Sequence, residues 1–167
     1  MIAEILSIGT ELLMGQIANT DAQYISRRLA ELGVNLYRHT TVGDNPARVK
    51  EALGEAIARA DIVITTGGLG PTEDDLTKEM VAEFFGLPME MHAPSLEALT
   101  ERMNRLGREI TPNNYKQAMM PRGAIVMPNL RGTAPGAIVE SGQKAVAILP
   151  GPPHEMQDMF ERQLAPY

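Results

Sequence analysis

The sequence has no cysteine among its 167 residues. Disulfides, thiolate zinc sites and thiol nucleophiles are therefore excluded. Tryptophan is also missing, and aromatic residues make up only 4% of the chain. So few rings argue against a surface that stacks single-stranded nucleic acid. There is no cluster of Lys and Arg, and the formal net charge is −6. An acidic chain of this kind is a poor match for the phosphate backbone of duplex DNA. No apolar run approaches the ~20 residues of a membrane-crossing helix. The opening MIAEILSIG lacks the basic start of a secretory signal. These absences set an expectation of a protein without nucleic-acid or membrane partners, cytoplasmic by default. Hydrophobic residues reach 44%, an ordinary globular share. The length suits one domain over residues 1–167, burying roughly 70% of the unfolded chain's surface.

Periodicity organises the first half. AEILSIG (3–9) reads as a buried strand. Residues 20–33 place Ala22, Ile25, Leu29 and Leu32 on one helical face and stop at Gly33. VNLYRHTTVG (34–43) is rich in β-formers. In the next segment Asn45 can cap a helix and Pro46 suits its first position, with Val49, Leu53, Ile57 and Ala60 as the buried stripe. DIVITT (61–66) is a short apolar run, typical of a strand covered on both faces. TKEMVAEFFG (77–86) reads as a short helix ended by Gly86. This alternation predicts α/β architecture, a mostly parallel sheet between two layers of helices. In the second half, residues 94–107 read as a helix and NNYKQAMM as a short helix closed by Pro121. AIVMP, GAIVE and KAVAILP read as strands. SGQK between the last two is a hairpin turn, giving the sheet an antiparallel edge. HEMQDMFERQL (154–164) is a final helix. The eleven methionines fall mostly at core spacing, where Met fills gaps.

Ligands on open α/β sheets bind beyond the carboxyl ends of the strands. Three unusual loops follow predicted parallel strands: 9–21, 42–46 and 66–77. A fourth, PGPPHE (150–155), joins them if its strand is also parallel. TGGLGPTEDDLT (66–77) is neither a Walker A loop nor a dinucleotide fingerprint. Its Thr66, Gly67, Gly68 and Gly70 can still present N–H groups to an anion, flanked by Thr72 and Thr77. Glu73, Asp74 and Asp75 would repel that anion. A divalent cation (Mg²⁺, Mn²⁺ or Co²⁺) removes the conflict, since phosphate oxygens and one or two carboxylates make a typical site. A tight turn with an acidic helix start is the plain alternative. Asp44 can share such a metal or simply serve an Asp-Asn-Pro turn. In the first loop, Thr10 and Asn19 could bond a ribose or base, or Asn19 could cap the helix. Gly9, Glu11 and Asp21 share that loop. Thr133, Pro135 and Gly136 in GTAPG, and Pro150, Gly151 and Pro152 in LPGPPHE, form rigid turns able to fit round a ligand or merely to connect strands. Lys116 could neutralise a phosphate, with Gln117 beside it. His39, His92 and His154 lack metal-ligand spacing, and no Gly-x-Ser-x-Gly elbow supports acyl hydrolysis.

Together, GTELLMGQIANTDAQYI, TTGGLGPTEDDLT, NNYKQAM, NLRGTAPG and LPGPPHEM resemble the N-terminal domain of the CinA family. That domain is similar to the molybdopterin-binding fold of MogA and MoaB. The resemblance covers essentially the whole chain. It implies metal-dependent hydrolysis of ADP-ribose to AMP and ribose 5-phosphate, with Asp44 and Asp75 as catalytic residues and metal ligands, and Glu11 or Asp74 as helpers. It also leaves two further readings: a nucleotide- or molybdopterin-binding module without turnover, and adenylylation of molybdopterin. Two departures stand out from the MogA pattern. Gly9-Thr10-Glu11 replaces a Ser-Asp pair, and Lys116-Gln117 replaces Arg-Gln. The resemblance further implies a homo-oligomer, dimer or trimer, and a C-terminal deamidase domain outside this chain.

Overall fold

The computed structural model describes residues 1–167. The chain runs β1 (Ile2–Ile8), α1 (Thr10–Leu13), α2 (Thr20–Glu31), β2 (Asn35–Val42), α3 (Pro46–Arg59), β3 (Ile62–Thr66) and α4 (Thr77–Phe85). There follow β4 (Met89–Met91), α5 (Ala93–Arg105), α6 (Pro112–Tyr115), a 3-10 turn (Lys116–Ala118), β5 (Met119–Pro121), β6 (Ile125–Met127), β7 (Gly136–Ser141), β8 (Lys144–Leu149) and α7 (Pro153–Met159). A π-helical turn over Phe160–Leu164 closes the chain.

Six strands form one sheet in the order β2-β1-β3-β8-β7-β6. The β2, β1, β3 and β8 strands pair in parallel, whereas β7 and β6 pair antiparallel. The mostly parallel sheet with an antiparallel edge is thus present as the sequence predicts. Because β8 is parallel to β3, the fourth loop joins the other three at the same sheet edge. Strand alternation sorts the core into two layers. Ile5, Ile64, Ala147 and Leu149 face α2 and α7, with Phe160 and Leu164. Leu6, Val63, Val146 and Ile148 face α3 and α4. Each fully buried Leu or Ile contributes about 1.5–3 kcal/mol of transfer free energy. No helix is long and apolar enough to cross a membrane.

Local signals explain the helix ends. Asn45 accepts from the Arg48 N–H and Pro46 occupies the first turn of α3. Gly86 ends α4 in the left-handed conformation. Two sequence expectations need correction, and two short elements went unread. Met119 and Met120 belong to β5, not to a helix, because they pair with β4 in a separate two-stranded sheet. The three-residue β4 and one-turn α1 carry no periodicity from which to read them. Of the eleven methionines only Met103, Met120, Met127, Met156 and Met159 are buried, and Met1, Met14 and Met91 are exposed and play no core role.

Candidate functional site

Strand order reverses between β1 and β3, the point where open α/β sheets bind ligands. A cleft of about 670 Å³ lies there. All four loops contribute, with Gly9, Glu11, Asn19, Asp44, Thr66, Gly67, Gly68, Gly70, Thr72, Asp75, Pro150, Gly151 and Pro152, and Gln117 and Thr133 join them from outside the loops. The cleft has two banks. One is built from the loops entering α3 and α4, with Asp44, Asp74 and Asp75. The other is built from the starts of α2 and α7, with Asp21 and Glu155. Glu11 brings the lining carboxylates to six, and no Lys or Arg is among the lining residues.

The first bank is ordered by threonines. One oxygen of Asp44 accepts from both the N–H and the hydroxyl of Thr10, each at 2.8 Å. The same arrangement recurs at Asp75, which accepts from the Thr72 N–H at 2.9 Å and hydroxyl at 2.5 Å. In each case Oδ2 is held and Oδ1 has no partner in the chain. Two glycines make the loop possible. Gly67 has φ +94°, and a Cβ there would overlap the Ile8 carbonyl oxygen. Gly68 has φ +68°, and its Cβ would overlap the Thr77 hydroxyl. Thr77 fastens this turn, its hydroxyl donating to the Gly67 carbonyl at 2.8 Å and its N–H to the Gly68 carbonyl at 3.2 Å.

The expected set of phosphate donors changes accordingly. The Gly67 N–H donates to the Leu149 carbonyl at 3.1 Å and is not free for a ligand. The N–H groups of Gly68, Leu69 and Gly70 donate to nothing in the chain, so Leu69 enters the set. Thr10 and Thr77 act through Asp44 and the glycine turn without lining the cleft. Lys116 does not line it either: its ammonium donates to the Thr72 carbonyl at 2.9 Å and lies 3.9 Å from Glu79. Pro135 lines a separate hollow beside α5. Gly136 is buried in β7, where a Cβ would meet the Met159 sulfur at 2.5 Å; it is a packing position. Asn19 lines the cleft, but its carbonyl caps α2 through the Ala22 N–H and its amide donates to Ser7. The cap and the Ser7 bond between them engage both its polar groups.

Sequence reasoning missed Lys78, which is 2% exposed. Its ammonium donates to the Gln117 carbonyl at 2.8 Å and lies 3.4 Å from the Lys116 carbonyl oxygen. Burial, with the nearby Lys116 charge, lowers its pKa to about 8. A Lys inside a helix pattern gives no sign of inward orientation. Glu155 and Asn129 were also missed. Asn129 shapes the 129–134 turn through the Gly132 N–H and the Ala134 carbonyl, and its amide donates to Glu155 at 2.7 Å.

No group of three or more His, Cys, Asp or Glu side chains is placed to hold a metal. A cation here would need oxygens from its ligand as well as from the protein, which is how Mg²⁺ is usually bound with phosphates. The donor set fits that use: acidic, oxygen-only, with Oδ1 of Asp44 and Oδ1 of Asp75 uncommitted.

Residues 4–167 match the family model described as "probable molybdopterin binding domain". The chain is 57% identical over 167 residues to a CinA-like protein of Dictyoglomus turgidum and 54% identical to one of Kosmotoga olearia. The matches take in all of this chain but only 41% and 40% of those proteins. Protein CinA from Thermoplasma acidophilum has the same fold, with a TM-score of 0.88 at 34% identity over 96% of this chain and 94% of that one. MoaB from Thermus thermophilus is 24% identical with a TM-score of 0.64, over 98% of this chain and 89% of that one, a likeness of fold. The chain therefore belongs to the molybdopterin-binding domain family and is similar throughout its length to that family's CinA-like members.

Proposed function

We propose that the cleft is a binding module for a phosphorylated heterocycle, an adenine nucleotide such as ADP-ribose or a pterin phosphate, taken up together with one divalent cation. One observation carries this reading. Free N–H groups of the glycine loop stand beside carboxylates that have one oxygen fixed and one open, in a cleft lined by no Lys or Arg. The N–H groups suit phosphate, and Asp44 and Asp75 would hold the cation that joins phosphate to protein. That cation, when bound, would neutralise and polarise the phosphate. The protein's own part is to orient: Thr10 and Thr72 aim the two carboxylates, and Thr77 holds the glycine turn. The family description and the names of the relatives speak of molybdopterin binding and CinA, not of ADP-ribose hydrolysis. Binding is therefore the core of the proposal, and turnover an extension of it.

Calorimetric titration with ADP-ribose, with and without Mn²⁺, tests it. Saturable binding that requires the metal is expected. Absence of metal-dependent binding by ADP-ribose and by a pterin phosphate would overturn the proposal. AMP and ribose 5-phosphate in the binding mixture would extend the module to a hydrolase. Adenylylated pterin from ATP and molybdopterin would extend it to a transferase.

A further inference from the structure

The second bank holds an anomaly. Asp21 is 7% exposed, lines the cleft, and its Oδ1 is buried without any hydrogen-bond partner. Buried carboxylates are costly unless matched. Glu79 Oε2 and Gln117 Oε1 are also buried without a partner, but each of those side chains has another polar contact, to Lys116 and Thr133 respectively. Glu4, 3% exposed, is met by two guanidinium nitrogens of Arg59 at 2.9 and 2.7 Å. The two metal-site candidates are matched as well, each by a threonine. Asp21 alone among these is left open. No neighbour on the bank donates to it: the Asn19 amide donates to Ser7, and the Asn129 amide to Glu155 and the Ala134 carbonyl. The carboxylate thus stands in the cleft lining without a donor from the protein. A metal-bound phosphate would not supply one, having only acceptors, and its donors lie on the opposite bank.

We infer that Asp21 reads the non-phosphate part of the ligand, accepting hydrogen bonds from two adjacent donors presented across the sheet edge from the phosphate. This rests on the nucleotide- or pterin-phosphate reading above. A ligand then straddles the cleft, with phosphate and cation on the α3/α4 bank and the donor pair on the α2/α7 bank. Two sources have this chemistry: a ribose cis-diol, and the amino/N–H edge of a guanine- or pterin-type ring. Asp21 is a specificity residue in this scheme. Stability is sacrificed at the position for recognition, and the unliganded protein carries the strain of an unmatched charge.

The test uses Asp21→Asn in the full chain. Its thermal midpoint without ligand is expected to rise by a few degrees, because the buried charge is removed. With Mn²⁺ present, its affinity for ADP or for GDP should fall about tenfold or more, a hydrogen bond to a charged group being worth that much. Its affinity for inorganic pyrophosphate, which reaches only the opposite bank, should stay within about twofold. Comparison of ADP with 2′,3′-dideoxy-ADP and with GDP separates the sources. A loss on removing the diol identifies the ribose, and a gain with GDP identifies the ring edge. A lowered midpoint, or an equal loss of pyrophosphate binding, would show a structural role and overturn the inference. So would unchanged binding of both ADP and GDP. If the parent protein binds pyrophosphate but the variant is indistinguishable from it with every nucleotide, this inference alone falls. If the parent binds none of these probes with Mn²⁺, the nucleotide reading falls and takes this inference with it.

Discussion

The two banks of the cleft hold their carboxylates in opposite ways. On the α3/α4 bank, Asp44 and Asp75 each rest on a threonine that donates twice to one oxygen. On the α2/α7 bank, Asp21 has a buried oxygen with nothing to accept. The first arrangement is pre-organised: the acid is aimed before a ligand arrives, and half its acceptor capacity is kept open. The second is provisional, stable only to the degree that the rest of the fold tolerates an unmatched group. A site can thus combine carboxylates that support the fold with one that weakens it, and their hydrogen bonds separate them where the sequence shows only Asp.

The contrast can be broken most forcefully on the ordered bank. Asp75→Asn should weaken metal-dependent nucleotide binding by about a hundredfold, by loss of a charged metal contact. Its amide still reaches Thr72, so circular dichroism and the thermal midpoint should hardly change. Retained affinity in titration would remove Asp75 from the site. A change of pH probes the other bank. Burial raises the Asp21 pKa from 3.8 to about 6. Its folded pKa then lies above the unfolded value, so its favourable contribution is complete below about pH 4 and is lost as pH rises through about 6. Asp21→Asn should therefore exceed the parent in denaturant stability at pH 7, with the gap closing between pH 6 and 4. A constant gap would assign the effect to packing. The smallest effect is expected for Thr10→Val, which leaves the backbone N–H to hold Asp44. Removing a group that orients a metal ligand costs about tenfold in metal affinity, measurable by Mn²⁺ titration.

Much of the frame was legible because its signals are local. The β3 run and the Asn45-Pro46 start of α3 depend on neighbours in sequence. The convergence of loops followed from parallel strands alone. What escaped depends on distant partners. Gly67 looks like a phosphate donor until β8 places the Leu149 carbonyl against its N–H. Asn19 looked as ready for a ribose as for a cap, and Ser7 and Ala22 between them take up its polar groups. Gly136 shares a motif with Thr133, yet only Thr133 reaches the cleft, because β7 begins at Gly136 and draws it into the sheet. Met119 and Met120 have helical neighbours and were drawn into β5 by pairing with β4.

Lys78 has one more consequence. It belongs to the helix that starts the glycine loop's far end, yet its ammonium grips the backbone of Gln117, whose side chain reaches Thr133 at 3.1 Å. Lys116 clasps the Thr72 carbonyl in return. Floor and side wall of the cleft are thereby riveted into one jaw. Moving the loop away from the wall would mean breaking these hydrogen bonds.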